Sequence, residues 1–388
     1  MRTGPFHLGY CTNVHPGERL EDVRATIAGP VAAVRRRVSP DGPFGLGLRL
    51  GDEVVRALVE PSLRDAFIEL LKAQDMYVFT MNAFPFGDFA APVVKQAVYA
   101  PDWRSEARVE YTVRVAELLT RLPGPMQRTI STVAGGFRPE TEDRASQAQM
   151  AENLARTAQT LARLADATGV SVRLCLEPEP WTTIETTDEA IAFFHGHKSL
   201  RTAEARAHLG LCYDCCHQAV QFEDATASVK ALVAAEVAIG KVQVSSALHL
   251  AKPADAQARA ALLAFAEPRY LHQVVAQAAD GTLLRVSDLP KLVDAPDAWT
   301  AAQAWRCHFH VPIFWDGDGT LGTTRADWQA ALRAVQAAGA CDHLEIETYT
   351  WHVLPETERA ALEGGDLVAS IAAEFAAVQA VIAPEVGR

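Results

Sequence analysis

Short apolar segments rich in β-branched residues recur eight times along the chain, each followed by a longer run of helical composition. No other feature restricts the fold as much. The segments are HLGYCT at 7–12, FGLGLRL at 44–50, MYVFTMN at 76–82, RTISTV at 128–133, VRLCLEP at 172–178, LGLCYD at 209–214, KVQVSS at 241–246 and HLEIETY at 343–349. Between them lie runs rich in Ala, Leu, Glu and Arg, such as 104–121, 144–167 and 225–238. Eight strand-then-helix units predict an α/β fold in which parallel strands close into a (β/α)8 TIM barrel. A doubly wound open sheet is the alternative. Its dinucleotide-binding version would carry GxGxxG after the first strand, and this sequence does not.

At 388 residues the chain has room for one such barrel with an insertion, so residues 1–388 read as a single domain. The insertion is the stretch 247–342 before the last strand, with a hairpin expected around ADG at 279–281. Barrel loops of that length serve as lids or binding loops. Residues 356–382 read as the last barrel helix. A formal net charge of -12 argues against a nucleic-acid partner, because holding phosphates requires a dense field of Lys and Arg. The one basic run, RRR at 35–37, reads as a solvated helix end. The start MRTGPFHLGYC has no apolar signal region, and no window reaches the roughly 18 apolar residues of a membrane span. A cytoplasmic protein is expected, with its seven cysteines reduced.

Strand side chains alternate between faces, which sorts the polar residues. Val172, Leu174 and Leu176 suit the helix layer, so Arg173, Cys175 and Glu177 point into the barrel. By the same test Gly210, Cys212 and Asp214 point inward, as do Lys241, Gln243 and Ser245, and His343, Glu345 and Glu347. The polar residues gather near the C-terminal strand ends, where barrel enzymes place their chemistry. A single inward carboxylate can equally be a salt-bridge partner, and Arg173 and Lys241 are available. Convergence of Glu177, Asp214 and Glu347 is different: each ionised pair ~4 Å apart repels by ~4 kcal/mol at an effective dielectric of 20. The fold must relieve that repulsion by raising pKa values, by pairing with basic groups or by binding a cation, and a divalent metal is the economical solution. The expected ligand set of Glu177, Asp214, Gln243 and Glu347, with His217 one turn beyond Asp214, is oxygen-rich. It suits Mn²⁺ or Mg²⁺ and tolerates Zn²⁺ or Co²⁺.

Cys212 and Cys215 form a lone CxxC in LCYDCCH. A structural zinc needs a second ligand pair, and a redox CxxC opens a helix after the first strand of its unit, so these thiols read as core filling. His308 and His310, two apart in CHFHVPIF, suit paired ligands or substrate contacts, or else a solvated edge strand. Asn13 and His15 follow the first strand in CTNVHPGE, where they could bind substrate or merely shape a turn. EPRYLHQ offers Arg269, Tyr270, His272 and Gln273 for substrate binding.

The motifs CLEPEP, GLCYDCCH and LEIET resemble those of the xylose isomerase-like TIM barrel superfamily of sugar isomerases and epimerases, with endonuclease IV a distant relative. The resemblance implies that Glu177, Asp214 and Glu347 are metal ligands and that His217 is a ligand or substrate contact. Where these isomerases often have a metal-binding histidine after the seventh strand, this chain has Gln243. Of endonuclease IV's extra histidines, Asn82 and Ala134 take two positions, while His308 and His310 match the spacing of its Asp-x-His pair. Longer stretches, YCTNVHPGE, YVFTMNAFPFG, YDCCHQAVQFED, FAEPRYLHQVV, HFHVPIF and ETYTWHVLP, resemble the EboE family, named for metabolite traffic. That resemblance implies a small-molecule metabolite as ligand and proteins of the same operon as partners. Two functions follow as expectations. One is a metal-dependent isomerase or epimerase in which Glu177 and Glu347 exchange a proton at carbon. The other is a non-catalytic metabolite carrier using the same pocket.

Overall fold

The computed structural model describes residues 1–361 and 365–383. The chain opens with a two-residue strand β1 (Arg2–Thr3) and continues through β2 (Phe6–Tyr10), β3 (Phe44–Arg49), β4 (Met76–Asn82), β5 (Gln127–Val133), β6 (Ser171–Glu177), β7 (Leu209–Asp214) and β8 (Ile239–Val244). Five more strands follow: β9 (Ser246–Leu250), β10 (Val274–Gln277), β11 (Leu283–Val286), β12 (Ala304–Val311) and β13 (Gly322–Thr323); β14 (His343–Ile346) is last. The barrel runs β2-β14-β8-β7-β6-β5-β4-β3, all parallel, and a parallel bridge from Cys11 to Gly47 draws its first and last members together. All eight expected segments are barrel strands, with ends shifted by up to three residues.

The outer helices start and stop where the local chemistry dictates. Asp143 caps the helix Arg144–Thr168 by accepting from Ala145 and Ser146 amides, and Gly169, at φ 74°, ends it in the left-handed conformation. Asp366 caps Leu367–Ile382 in the same way. The expected last helix is thus two pieces, Glu356–Ala361 and Leu367–Ile382, with 362–364 outside the described residues. No helix among the described residues is long and apolar enough to cross a membrane.

The stretch 247–342 is more ordered than a lid. β9 leaves the barrel immediately after β8 and joins a five-stranded antiparallel sheet of order β11-β10-β12-β9-β13. The hairpin around ADG is present, joining β10 to β11. The last helix of the stretch, Arg325–Ala338, returns to the outer layer and packs on the helix Ala225–Ala234. Within the stretch, the inserted unit therefore ends before that helix. β12, expected to be extended, is a central strand rather than a solvated edge.

Inside the barrel the side chains form layers. His7, Phe79 and His343 pack together at the N-terminal end, with ring centroids 5.1 to 5.5 Å apart. Above them Lys241 Nζ meets Glu345 Oε2 at 2.5 Å, both side chains fully buried. Gly47 makes room for this pair: a Cβ there would lie 1.6 Å from Glu345 Oε1. Removing one member strands a buried charge, whereas removing both does not. Lys241→Met should cost about 3–5 kcal/mol in urea unfolding, and Lys241→Met/Glu345→Met should recover most of it. A single-variant cost under about 1 kcal/mol would contradict this account.

Candidate active site

Parallel pairing sets Gln243 level with Asp214 on one side and Glu345 on the other. Glu177 ends β6, Asp214 ends β7 and Glu347 stands one residue past β14. One carboxylate oxygen of each of these three acids lies within 4.8 Å of the others. The two cations that sequence made available are engaged elsewhere. Lys241 pairs with Glu345, and Arg173 donates to the carbonyls of Arg206 and Leu209.

Neutral groups hold part of the ring. Asn13 and Asn82 both donate to Glu347 Oε1, at 2.8 and 2.9 Å. Ser245 Oγ and the His217 amide donate to Asp214 Oδ1 at 2.8 and 2.9 Å, the second bond capping the short helix Cys215–Val220. Glu177 Oε2, Asp214 Oδ2 and both amide atoms of Gln243 are buried without any hydrogen-bond partner. Burial, then the neighbouring Glu347 and Asp214, push the Glu177 carboxyl well above the usual carboxylate range; burial, then Asp214 and Glu345, do the same to Glu347. Orphaned oxygens in a ring of acids fit a bound cation.

Three imidazoles stand beside this ring. β12 carries His308 and His310 on one face, and His217 rises from the turn after Asp214. His217 Nδ1 donates to Pro178 O at 3.0 Å and His310 Nδ1 to Glu347 O at 2.7 Å. His308 Nδ1 donates to Gln273 Oε1 at 2.7 Å; the Gln273 amide nitrogen is committed to Glu179 and Pro180 O, which fixes its oxygen as the acceptor. Burial lowers all three basicities, His217 to about 4, so each ring is neutral with its single proton on Nδ1. The Nε2 lone pairs therefore face one another, His217 to His308 at 3.1 Å and His217 to His310 at 3.4 Å, with Asp214 Oδ2 4.0 Å from His310 Nε2. Outward Nδ1–H bonds that aim Nε2 inward are the arrangement metal-binding histidines use. Asp214 belongs to both the oxygen-rich group with Glu177 and Glu347 and the nitrogen-rich group with His217 and His310.

The remaining expected residues divide. Asn13, His217 and His308 line a cavity above the acids, and His310 lies against it through Tyr349 and His308. His272 and His15 do not line it. His272 bonds His308 O and Glu267 Oε1 through its two nitrogens, so it braces β12, and His15 is held by the Tyr10 hydroxyl at 2.8 Å. Cys212 and Cys215 are free and buried. Cys216, not singled out from sequence, lies with His308 and His310 in a third group of potential ligands. Glu179 also escaped notice: it lines the cavity, accepts from Tyr99 and Gln273 at 2.8 Å, and burial pushes its carboxyl up to about 8. Its position two residues beyond Glu177 in EPEP was the available signal.

Residues 47–370 match the model of the xylose isomerase-like TIM barrel family. The chain belongs to that family. Among solved structures of similar fold, a xylose isomerase-like TIM barrel protein from Mycobacterium smegmatis, in complex with magnesium, superposes with a TM-score of 0.54 at 11% identity, over 98% of each chain. The probable 3-DHS dehydratase AsbF of Bacillus anthracis gives 0.49 at 13% identity, over 96% of this chain and 98% of that one. A D-tagatose 3-epimerase-like protein gives 0.48 at 13%, over 95% and 99%. At these identities the likeness is one of fold. No curated protein matches the chain in sequence.

Two outcomes follow for this xylose isomerase-like site. Glu177→Gln removes a carboxyl whose ionisation burial, Glu347 and Asp214 oppose, so in metal-free protein it should raise the thermal midpoint by about 2 °C or more while weakening metal binding; a lower midpoint would mean the acids are not in conflict. Glu374, on the helix Leu367–Ile382, accepts from Thr348 Oγ1 at 2.5 Å beside Glu347, and burial pushes its carboxyl from 4.5 up to about 8. The folded state keeps that proton where the unfolded state has lost it, so the Glu374 contribution makes stability fall as pH rises from 4.5 to about 8. Glu374→Gln should flatten that slope in urea titrations at pH values across the window.

Proposed function

We propose that this chain is a metal-dependent isomerase or epimerase acting on a small hydroxycarbonyl or polyhydroxylated metabolite. The observation that carries the reading is the set of buried, unpartnered oxygens on Glu177, Asp214 and Gln243, next to three imidazole lone pairs with no cationic side chain among them. Glu177, Asp214, Gln243 and Glu347 would hold a divalent ion, with His217 and His310 supplying nitrogen. Oxygen ligands suit Mg²⁺ or Mn²⁺, and the nitrogen set suits Zn²⁺ or Co²⁺. When bound, such an ion polarises neighbouring hydroxyl and carbonyl oxygens and makes the adjoining C–H more acidic.

The side chains then divide the work. Glu177, whose Oε2 has no partner, takes the proton from carbon, and Glu347, held from behind by Asn13 and Asn82, returns one from the other side. His308, which lines the cavity, orients a substrate hydroxyl. The resemblance of the long motifs to the EboE family supports a small metabolite handled with operon partners in the cytoplasm. The neutral amide of Gln243 favours a second reading, a carrier that holds the metabolite unchanged.

Protein purified without chelator should contain a divalent metal, lost in Asp214→Ala, and chelation should lower its thermal midpoint. On a panel of hydroxycarbonyl compounds in D2O, the wild type should exchange a carbon-bound proton, seen by NMR. Glu177→Gln and Glu347→Gln should each slow this by about 100-fold or more with the circular dichroism unchanged. Wild-type rates in either variant would refute the two-base scheme, and binding without exchange would select the carrier.

A further inference from the structure

The cavity above the acids is walled by carbon. Phe84, Phe89, Val94, Val98 and Leu271 line it. Three tyrosines complete the wall, and each directs its hydroxyl at the protein: Tyr99 to Glu179 Oε1 at 2.8 Å, Tyr270 to Phe89 O at 3.1 Å, and Tyr349 toward His308 Nε2 at 3.5 Å. Phe89, Tyr270 and Tyr349 come from three separate segments and pack with ring centroids 4.9 to 5.2 Å apart. Lys95 also reaches the lining, but its ammonium donates to Tyr270 O at 2.6 Å, Asp288 Oδ2 at 2.8 Å and Glu267 O at 3.2 Å, which uses all three protons. Polar recognition is thereby left to Glu177, Glu179, Glu347, His217, His308 and Asn13, whose Oδ1 is unpartnered.

A free sugar carries a hydroxyl on nearly every carbon. The two or three that reach these groups find partners, but the others would meet rings and methyl groups. Each buried hydroxyl left unpaired costs roughly 5- to 150-fold in affinity. An apolar body gains on the same wall. Resting on the function proposed for this site, we infer that the substrate is a hydroxycarbonyl compound with one polar head, which meets the acids, and an apolar, ring-like body, which fills the aromatic wall. Free sugars are poor ligands.

The test uses the intact protein loaded with Mg²⁺ and three probes: hydroxymethyl phenyl ketone, dihydroxyacetone, which has the same head without the ring, and D-fructose. In calorimetric titrations the phenyl ketone should bind about 30-fold or more tightly than either of the others. Val98→Asn, at a half-buried position of the wall, should narrow that advantage about 10-fold. Equal or tighter binding of D-fructose overturns the inference, as does failure of all three probes to bind; both results come from the wild type and do not depend on the variant's folding. Preference for the phenyl ketone without exchange of its carbon-bound protons into D2O would uphold this ligand class and remove the catalytic reading. Exchange on D-fructose alone would do the reverse.

Discussion

Parallel pairing around the barrel brings every strand to an end at one level, and inward side chains at that level share only a few ångströms. Glu177, Asp214 and Glu347 meet there, and Gln243 pairs with Asp214 beside them. What makes the meeting consequential lies one layer below. Lys241, the interior cation, is offset by Glu345, and the absence of a Cβ on Gly47 lets that pair form. The Lys241 hydrogen bond goes to Glu345 and not to the ring above, whose Glu177 and Glu347 it stabilises less than burial and their acidic neighbours oppose them. Burial then raises the free energy of ionised carboxylates, and neutral donors such as Asn13, Asn82 and Ser245 offset only part of that cost.

The inserted sheet completes the proposed site by a reciprocal lock. β12 delivers His308 and His310, yet their tautomers are set from outside the strand: the Glu347 carbonyl takes the His310 proton and Gln273 takes that of His308. Pro178, just past β6, does the same for His217. Each anchor turns an Nε2 lone pair inward. The sheet is in turn tied to the barrel by Lys95, which reaches Asp288, and by Arg285, which meets Glu185. Shifting the sheet would break the bond from His310 to the Glu347 carbonyl and the convergence together, so the insertion behaves as part of the site's frame.

Period-two alternation was enough to place Glu177, Asp214, Gln243 and Glu347 on the inner face, because strand geometry is local and the hydrophobic partners Leu174, Leu211, Val242 and Ile346 mark the outer one. The eight barrel strands were legible for the same reason. Pairings between distant residues were not. Nothing local says that Lys241 prefers Glu345 to the ring above it, or that Tyr99, from the loop after β4, meets Glu179 and Gln273. The inserted sheet was hidden because its antiparallel neighbours come from separated stretches, with β12 lying between β9 and β10. His15 and Asn13 show the limit most sharply. Two residues apart in one turn, one reaches Glu347 and the other turns to Tyr10.

Gln243 bears on how nitrogen enters the proposed site. A histidine at this strand end would put an imidazole among three acids from below, inside the barrel. Here the amide is neutral, and both its polar atoms lack partners between Asp214 and Glu345. The nitrogen donors come from above instead, His217 from the first turn after β7 and His310 from the inserted sheet, and Asp214 touches both groups. Moving the nitrogen off the barrel separates two ligand chemistries that a single histidine would have merged: hard oxygens on the floor, imidazoles at the side. Oxygen donors on the floor would suit a hard ion, and imidazoles at the side would suit a borderline one. With His217 and His310 beside Asp214, the neutral amide at 243 is compatible with the metal-dependent site proposed above.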